Sequence, residues 1–525
     1  MLTLAVAPAV QGAVMLAAAA AAAVVLLVRD PRQRAAAMVA SLLFSALAVA
    51  TLEGDRLAGR AAEIAGGAVA ALVAIAVLGT LLVRRPGLVG LLAVFALPFR
   101  VPLPLGTETA SLLVPLYGVI AGGVAAQALR WLRPGRGAEA VDVSERPVDR
   151  RVRHVQIALA AVLGLYALQS LYSTDLAQAL KNLCLFYVPF AVLFALLLDV
   201  EWTVRALRTA FLLVVGLSLV FALVGFYEYQ TGHLLLANAK VQEANDLKPY
   251  FRVNSLFFDP NIYGRFLALT MIALAATLVW SRDRRTLGLV AAALAVLWAG
   301  LVLSLSQSSF AALLGGLAVV AWLRWRGLPV LAAAGAAAVV AIAVVLLAPG
   351  SIQIETNSSA ALDKATSGRF DLVNGALSMA RDRPVWGFGA GSFAERYRAR
   401  EGIHSTRIAA ISHTIPLTVA AEQGAIGLIG YLALMAAALA LLFDGLKPRL
   451  RRMADAPAIG DVAAAAAAAA FVALVLHTLI YAAYLEDPLA WALLAIAAVL
   501  RRQRDETPVT AELRARTREA ARAAA

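Results

Sequence analysis

Long apolar runs separated by short polar connections extend through almost the whole of this chain. Many of them reach the roughly 20 residues that a helix needs to cross a bilayer. They are rich in Ala, Leu and Val and lack the alternating apolar and polar positions of membrane-spanning strands. Helices suit such runs because they satisfy their own backbone hydrogen-bonding groups in lipid. The pattern predicts an all-α, polytopic integral membrane protein with about 14 transmembrane helices, in a range of about 12 to 15. The apolar windows lie near residues 7–28, 35–52, 66–83, 88–104, 109–128, 156–174, 183–200, 209–227, 262–280, 286–305, 309–323, 328–348, 415–443, 461–484 and 486–500.

The composition supports a membrane protein. Hydrophobic residues make up 62% of the chain and charged residues 15%, and the mean hydropathy of +0.79 is far above that of a soluble domain. The net charge of +13 would suggest nucleic acid in a soluble protein, but here the basic residues concentrate between spans, so we expect no nucleic-acid partner. Cys184 is the single cysteine, which excludes an intramolecular disulfide and a multi-cysteine metal or iron–sulfur site.

Arginine and lysine concentrate in alternate connections between the spans. These connections are Arg29 to Arg34, Arg84 and Arg85, residues 130–153, Arg282 to Arg285, Arg324 and Arg326, residues 447–452, and the tail from Arg501. The positive-inside rule assigns them to the cytoplasm. Residues 53–65, 175–182, 228–261 and 349–414 are then expected on the outer side.

This topology divides the chain into six parts. They are front transmembrane helices (1–128), a basic cytoplasmic linker (129–155), transmembrane helices (156–348) with an outer loop at 228–261, a large, partly helical outer loop (349–414), C-terminal transmembrane helices (415–500) and a basic cytoplasmic tail (501–525).

The large outer loop carries many cations on the side where positive charge is usually depleted. Guanidinium groups suit phosphate and diphosphate because they stay charged and present a planar fork of donors. A solvated loop with local ion pairs is the alternative. Arg369 stands apart because it begins an apolar-periodic helix, whose start offers N–H donors and a favourable dipole to an anion. The cations are Lys364, Arg369, Arg381, Arg383, Arg396, Arg398, Arg400 and Arg407.

Two more arginines belong to the earlier outer loop and the span that follows it. Arg252 lies near the end of the loop, and Arg265 lies one turn inside the span. Between them, Asp259 and Asn261 flank a proline in a helix-start signal and have helix capping as their simplest role. A cation inside a span usually has a partner, because burying it alone in lipid is unfavourable.

His413 and His477 differ in where they lie relative to the predicted spans. His413 lies where the large loop re-enters the membrane, and an imidazole there can accept or donate a proton near neutrality. A purely structural His413 is the alternative. His477 lies in a late span, where packing against a hydrogen-bonding partner is the simpler explanation.

Three stretches, in order and spacing, carry a resemblance to a known family. They are Arg252 with Phe258-Asp259-Pro260-Asn261; Arg369 with Ala376-Leu377, Pro384 and Gly387-Phe388-Gly389-Ala390-Gly391-Ser392-Phe393; and His413-Thr414 with Ala421-Glu422-Gln423-Gly424 and Gly427-Leu428. Over about residues 210–440 the chain resembles the O-antigen ligases and related polymerases of bacterial surface polysaccharide assembly. It departs from them at Thr414, where Asn is usual, and at Ser306 to Ser309, where many members have a Ser-Arg-Gly turn.

The resemblance implies a GT-C-like glycosyltransferase in the bacterial inner (cytoplasmic) membrane, with its active site facing the periplasm or cell exterior. It implies metal-independent, inverting transfer of a glycan from a polyprenyl-diphosphate donor to a hydroxyl of a lipid or glycan acceptor, in lipopolysaccharide or other surface polysaccharide synthesis. By the same resemblance, Arg252 and Arg369 bind the diphosphate, with Arg265 as a secondary candidate. His413 acts as base or as a further diphosphate contact, membrane lipids surround the protein, and no cofactor is expected.

Two other functions compete with the ligase. A repeat-unit polymerase for O-antigen or exopolysaccharide would use the same donor with another lipid-linked glycan as acceptor. A transporter or flippase predicts ionisable residues deep within helices and a repeat relation between halves, whereas the mid-span regions here are almost free of charge. The outer loops contain no Asp-x-Asp pair or histidine cluster, so we expect no catalytic metal.

Overall fold

The structure is a computed structural model in which nineteen helices and one β-hairpin are described. It describes residues 8–52, 61–105, 108–132, 149–236, 239–247, 250–325, 369–402, 414–452, 457–481 and 485–504. The helices are α1 (Pro8–Leu27), α2 (Pro31–Leu52), α3 (Ala61–Arg84), α4 (Leu88–Ala96), α5 (Val114–Leu132), α6 (Arg150–Ser170), α7 (Leu176–Asn182), α8 (Val188–Leu198), α9 (Val204–Thr231), α10 (Ala239–Leu247), α11 (Pro260–Trp280), α12 (Arg284–Ser304), α13 (Gln307–Arg324), α14 (Arg369–Asp382), α15 (Phe393–Arg400), α16 (Ile415–Phe443), α17 (Leu446–Arg452), α18 (Ile459–Thr478) and α19 (488–504). A π-helical turn, Leu183–Tyr187, joins α7 to α8.

Eleven helical segments among the described residues are long and apolar enough to cross a membrane. They are α1, α2, α3, α6, the continuous α7–α8 segment, α9, α11, α12, α13, α16 and α18. The predicted all-α, polytopic membrane architecture is therefore confirmed. The count of about 14 is not confirmed, and the span expected at 328–348 lies outside the described residues.

One predicted span is wrong. The window at 88–104 was expected to cross the membrane as a helix, but α4 ends at Ala96 and the chain then forms an antiparallel hairpin of β1 (Val101–Leu105) and β2 (Glu108–Leu112). Pro98, Pro102 and Pro104 supply the physical reason. Proline lacks an N–H donor and disfavours helix at the preceding residue, however apolar the segment is.

The centre of the bundle is formed by α8, in which every residue is buried. A helix that is hydrophobic all round needs such a position. Helix α3 is the opposite case, because Val69, Leu72, Val73 and Val77 are all exposed. These side chains face outward from the bundle, as expected of a lipid-facing helix.

The predicted outer loop has a small core of its own. Leu372, Ala376 and Met379 of α14 pack with Phe393 and Tyr397 of α15, and Ala421 of α16 closes the cluster. The large loop is therefore partly helical, as expected, and its helices are seated on a transmembrane helix.

Ion pairs join several of the basic connections, which the sequence assigned to one side, to each other or to a neighbouring helix end. Arg34 pairs with Asp199 between α8 and α9. Arg501 of α19 pairs with Asp149 at 2.7 Å and with Asp444 at 3.4 Å. These pairs bring the ends of distant helices together at one end of the bundle. Among the described residues, the predicted site residue Arg252 is not a partner in these pairs.

Candidate functional site

Arg252 is held in place through both its backbone and its side chain. Its backbone N–H donates to Asn245 Oδ1, and Asn245 Nδ2 donates to its carbonyl, both at 3.0 Å. Its guanidinium donates from Nε to the Ser304 carbonyl at 3.1 Å and from Nη2 to Asn261 Oδ1 at 3.3 Å. Burial lowers the pKa of this guanidinium, and the nearby Asp259 carboxylate opposes that shift. Arg252 is thus a positioned, half-buried cation.

A buried glutamate organises the backbone that follows Arg252. Glu228, fully buried near the end of α9, accepts the N–H groups of Asn254 at 3.0 Å and Ser255 at 2.7 Å. The same carboxylate accepts the N–H of Leu235 at 2.9 Å. Three backbone donors on one carboxylate fix the loop to the end of the helix. Asn254 and Ser255 are buried, where an unpaired N–H would be costly.

Asn261 continues the network from Arg252 into the bundle. Its Oδ1 accepts from Ser306 Oγ at 2.9 Å, and Ser306 is 3.2 Å from Ser308 Oγ. Ser308 in turn is 3.1 Å from His477 Nε2. His477 therefore has the hydrogen-bonding partner that the sequence suggested, but that partner belongs to a polar chain that ends on Arg252.

Arg265 and Asp487 form a buried ion pair, with side chains 2% and 1% exposed. The expectation that a cation in this span needs a partner is thereby met. The predicted contact between Arg265 and a diphosphate stays a prediction, because in this structure Asp487 takes up its charge. Asp487 was missed by the sequence analysis; it lies just before α19, and no local signal connects it to Arg265.

Tyr481 has Arg265 and Arg100 as electrostatic neighbours. Its hydroxyl donates to Asp259 Oδ2 at 2.8 Å, and its ring lies 5.4 Å from that of His477. Burial raises the pKa of Tyr481 well above its ordinary value, Asp259 adds to that shift, and the charges of Arg265 and Arg100 oppose it. The Tyr481 phenol therefore stays protonated.

The glycine-rich turn after α14 docks on a break in α16. We call this docked pair of segments, residues 384–393 and 421–426, the clamp. The helix is interrupted at Gly424, which has a φ of 64°. Four backbone hydrogen bonds join the two segments, from 388 to 421 at 3.2 Å, from 389 to 422 at 2.8 Å, from 425 to 384 at 2.7 Å and from 426 to 385 at 3.4 Å. The glycine-rich turn is therefore close-packed against the broken part of α16.

A second buried glutamate locks the clamp. Glu422 is 8% exposed, and its carboxylate accepts the N–H of Gly391 at 2.8 Å and of Phe393 at 3.0 Å. It thereby caps the start of α15, where helical N–H groups have no partner of their own. Gln169, at the end of α6, donates to the Gln423 carbonyl at 3.0 Å and accepts the N–H of Ala390 at 3.3 Å.

The two remaining predicted residues belong to the loop that the clamp holds. Arg369 is the first residue of α14, as predicted. His413 lies outside the described residues. Its neighbour Thr414 precedes α16 and donates from Oγ1 to the Leu479 carbonyl at 3.2 Å. The chain that follows His413 is thus attached two residues before Tyr481.

Within the described parts of the chain, no group of three or more His, Cys, Asp or Glu side chains is arranged to hold a metal ion. The expectation of metal-independent chemistry stays a prediction.

These features define a polytopic membrane protein in which a polar loop is clamped to a broken transmembrane helix on the side of the bundle that carries Arg252. Residues 292–432 match the family model described as O-antigen ligase. The chain therefore carries an O-antigen ligase-like domain, and over these residues the resemblance drawn from the sequence motifs is confirmed. The match includes the clamp, Arg369 and His413, whereas Arg252 and Asp487 lie outside it. No curated protein matched the chain.

Proposed function

We propose that this protein is a ligase-type membrane glycosyltransferase of bacterial surface polysaccharide assembly. It transfers a glycan from a polyprenyl-diphosphate carrier to a hydroxyl of a lipid acceptor, at the outer face of the inner membrane. The reaction inverts the anomeric carbon and needs no metal. The acceptor class, the orientation and the stereochemistry are parts of this proposal.

One observation carries the proposal. The O-antigen ligase-like segment holds its outer loop by the clamp, and the end of that loop is attached through Thr414 to Leu479. Two residues further, Tyr481 donates to Asp259, whose charge also acts on Arg252. The matched segment and the unmatched Arg252 loop therefore contribute to one side of the protein, which supports a shared site.

The chemistry of the proposed reaction suits arginine. The acceptor oxygen attacks the anomeric carbon, the bond from that carbon to the phosphate oxygen breaks, and the electron pair leaves with the polyprenyl diphosphate. Arg252 and Arg369 stabilise the growing negative charge, and preorganised cations do this best because they need not reorient. His413 takes the proton of the acceptor hydroxyl, as an imidazole can do near neutrality.

A repeat-unit polymerase remains the second candidate, because it would use the same donor and the same arginines. It differs in its acceptor, which would be another polyprenyl-diphosphate-linked glycan rather than a lipid without diphosphate. The O-antigen ligase-like segment is compatible with both, so the acceptor decides between them.

The test is transfer of a labelled polyprenyl-diphosphate glycan by the purified full chain in nanodiscs with a chelator present. Both acceptor types are offered in separate reactions. Arg252→Ala, Arg369→Ala and His413→Ala should each lower the transfer rate by about 100-fold or more, as loss of a transition-state contact does. Product on the lipid acceptor identifies a ligase, and elongated carrier-linked glycan identifies a polymerase.

Arg381→Ala is the matched control, because Arg381 is an exposed residue on the same helix as Arg369. It should transfer at the wild-type rate. His477→Ala is not a neutral control, since His477 is connected through Ser308 to the Arg252 network. Wild-type transfer by all three site variants would reject this site, and full dependence on an added divalent metal would reject the metal-independent reaction.

A further inference from the structure

Arg100 is a cation within the apolar window at 88–104, which was predicted to span the membrane. It lies in the irregular segment between α4 and β1, and its side chain is half-buried. Its electrostatic neighbours are Asp487, Arg265, Tyr481 and Tyr117. Because Arg265 and Asp487 are almost completely buried, Arg100 is the more accessible of the two arginines beside this aspartate.

The acids around Arg100 do not fully neutralise the two arginines. Asp487 is already ion-paired with Arg265. Glu486 is the second acid, and burial raises the pKa of its carboxyl to about 7 while the charge of Arg100 opposes that shift. Near neutral pH a part of the Glu486 population is therefore uncharged, and positive charge is left in excess.

Within the described part of the chain, the guanidinium of Arg100 also lacks a close partner. Among the residues that the structure describes, it forms no hydrogen bond and no ion pair. An arginine that loses hydration without gaining such a partner is unfavourable. A bound anion would supply the missing hydrogen bonds.

Tyr481 connects this cation to the proposed site. The charge of Arg100 acts on Tyr481, and Tyr481 is in turn an electrostatic neighbour of Arg252. The Tyr481 hydroxyl donates to Asp259 at 2.8 Å, and Asp259 also acts on Arg252. The two arginines belong to different loops, and each has this phenol as an electrostatic neighbour. A diphosphate is an anion with enough oxygen atoms to accept from two guanidinium groups at once.

We propose that Arg100 binds the diphosphate of the lipid-linked donor together with Arg252, each guanidinium contacting one of the two phosphates. This assignment rests on the proposed function, since it assumes a polyprenyl-diphosphate ligand. It extends the site beyond the O-antigen ligase-like segment into the front part of the chain.

The test compares binding of polyprenyl diphosphate and polyprenyl monophosphate to the full chain in nanodiscs. Arg100→Gln should weaken diphosphate binding about 10- to 100-fold, the effect of losing hydrogen bonds to a charged group. Monophosphate binding should change little, because Arg252 still contacts its single phosphate. Arg100→Lys should give an intermediate loss, since an ammonium keeps the charge but not the planar fork.

Arg381→Gln should bind both lipids as the wild type does. The assignment is overturned if Arg100→Gln binds diphosphate with wild-type affinity, or if it loses affinity for both lipids equally. Should Arg100→Gln not fold, Arg100→Lys decides alone, and unchanged diphosphate affinity in that variant overturns the assignment. Wild-type protein that binds no polyprenyl diphosphate would instead contradict the proposed function itself.

Discussion

Gly424 and Val385 are packed so closely that a Cβ on Gly424 would overlap the Val385 carbonyl. Gly387 has the reciprocal position, because a Cβ there would overlap the backbone of Glu422 and Gln423. Both glycines have positive φ angles, 64° and 66°. The two segments of the clamp therefore meet backbone to backbone, and only glycine allows this approach together with that conformation.

Gly424→Ala should destabilise the protein. The strain of a left-handed alanine, about 1–3 kcal/mol, is added to the steric overlap with Val385. The expected result is a lower melting temperature of the detergent-purified protein, measured by tryptophan fluorescence. Gly216→Ala in α9 is the control, since a Cβ there meets no atom within 4 Å, and it should melt at or slightly above the wild-type temperature. Equal melting of Gly424→Ala and wild type would show that the clamp is not formed.

Glu422→Ala should release the start of α15. Two buried N–H groups would lose their acceptor, at about 1–3 kcal/mol each. Ser392, fully buried beside them, reports this opening as Ser392→Cys in a Cys184→Ala background. Maleimide should then label the introduced thiol at least about 10-fold faster.

Two further variants serve as controls for this labelling experiment. Glu422→Gln should fall between wild type and Glu422→Ala, because an amide keeps one acceptor oxygen. Glu395→Ala, at an exposed position on α15, should leave the labelling rate unchanged. A Glu422→Ala protein that labels no faster than wild type would contradict the capping role.

Asp487→Asn should be strongly destabilising, because it leaves Arg265 charged and buried, at about 3–5 kcal/mol. The double variant Arg265→Met, Asp487→Leu should recover much of the lost melting temperature, since an apolar pair of similar volume often replaces a buried ion pair. The double variant also tests the predicted diphosphate role of Arg265. Normal transfer in that variant would leave Arg265 with a structural role, whereas a folded but inactive protein would support contact with the substrate.

Glu486 should make stability depend on pH. Its carboxyl has a pKa of about 7 in the folded protein, raised by burial from the model-peptide value of 4.5. The folded state therefore holds the proton more tightly, and the associated stability is present below pH 4.5 and lost as the pH rises through 7. The wild-type melting temperature should fall between pH 5 and pH 8 more steeply than that of Glu486→Gln. Parallel curves for the two proteins would contradict this source of the dependence.

The sequence predicted the fold well where apolar length alone decides it. The windows at 7–28 and 262–280 became α1 and α11 with ends shifted by only a few residues. The window at 88–104 failed because hydropathy is insensitive to the missing N–H donors of Pro98, Pro102 and Pro104. A count of prolines within each window would have separated the two cases.

The site was only partly predictable, because its contacts join residues far apart in the chain. The sequence indicated that Arg265 needs a partner, but nothing near Arg265 points to Asp487. Glu422 was recognised as part of a motif, yet its role depends on the two N–H groups that another segment brings to it. Tertiary pairings of this kind follow from packing, which a single sequence does not display.

Helix α19 is joined at both ends to parts of the chain that are synthesised much earlier. Asp487, just before it, pairs with Arg265, and Arg501, near its other end, pairs with Asp149 and Asp444. During translation, α11 therefore enters the membrane with its arginine before the neutralising carboxylate exists. The nascent bundle lacks this carboxylate until residue 487 has been synthesised, so a chain truncated before residue 487 keeps an arginine in the membrane without its acid.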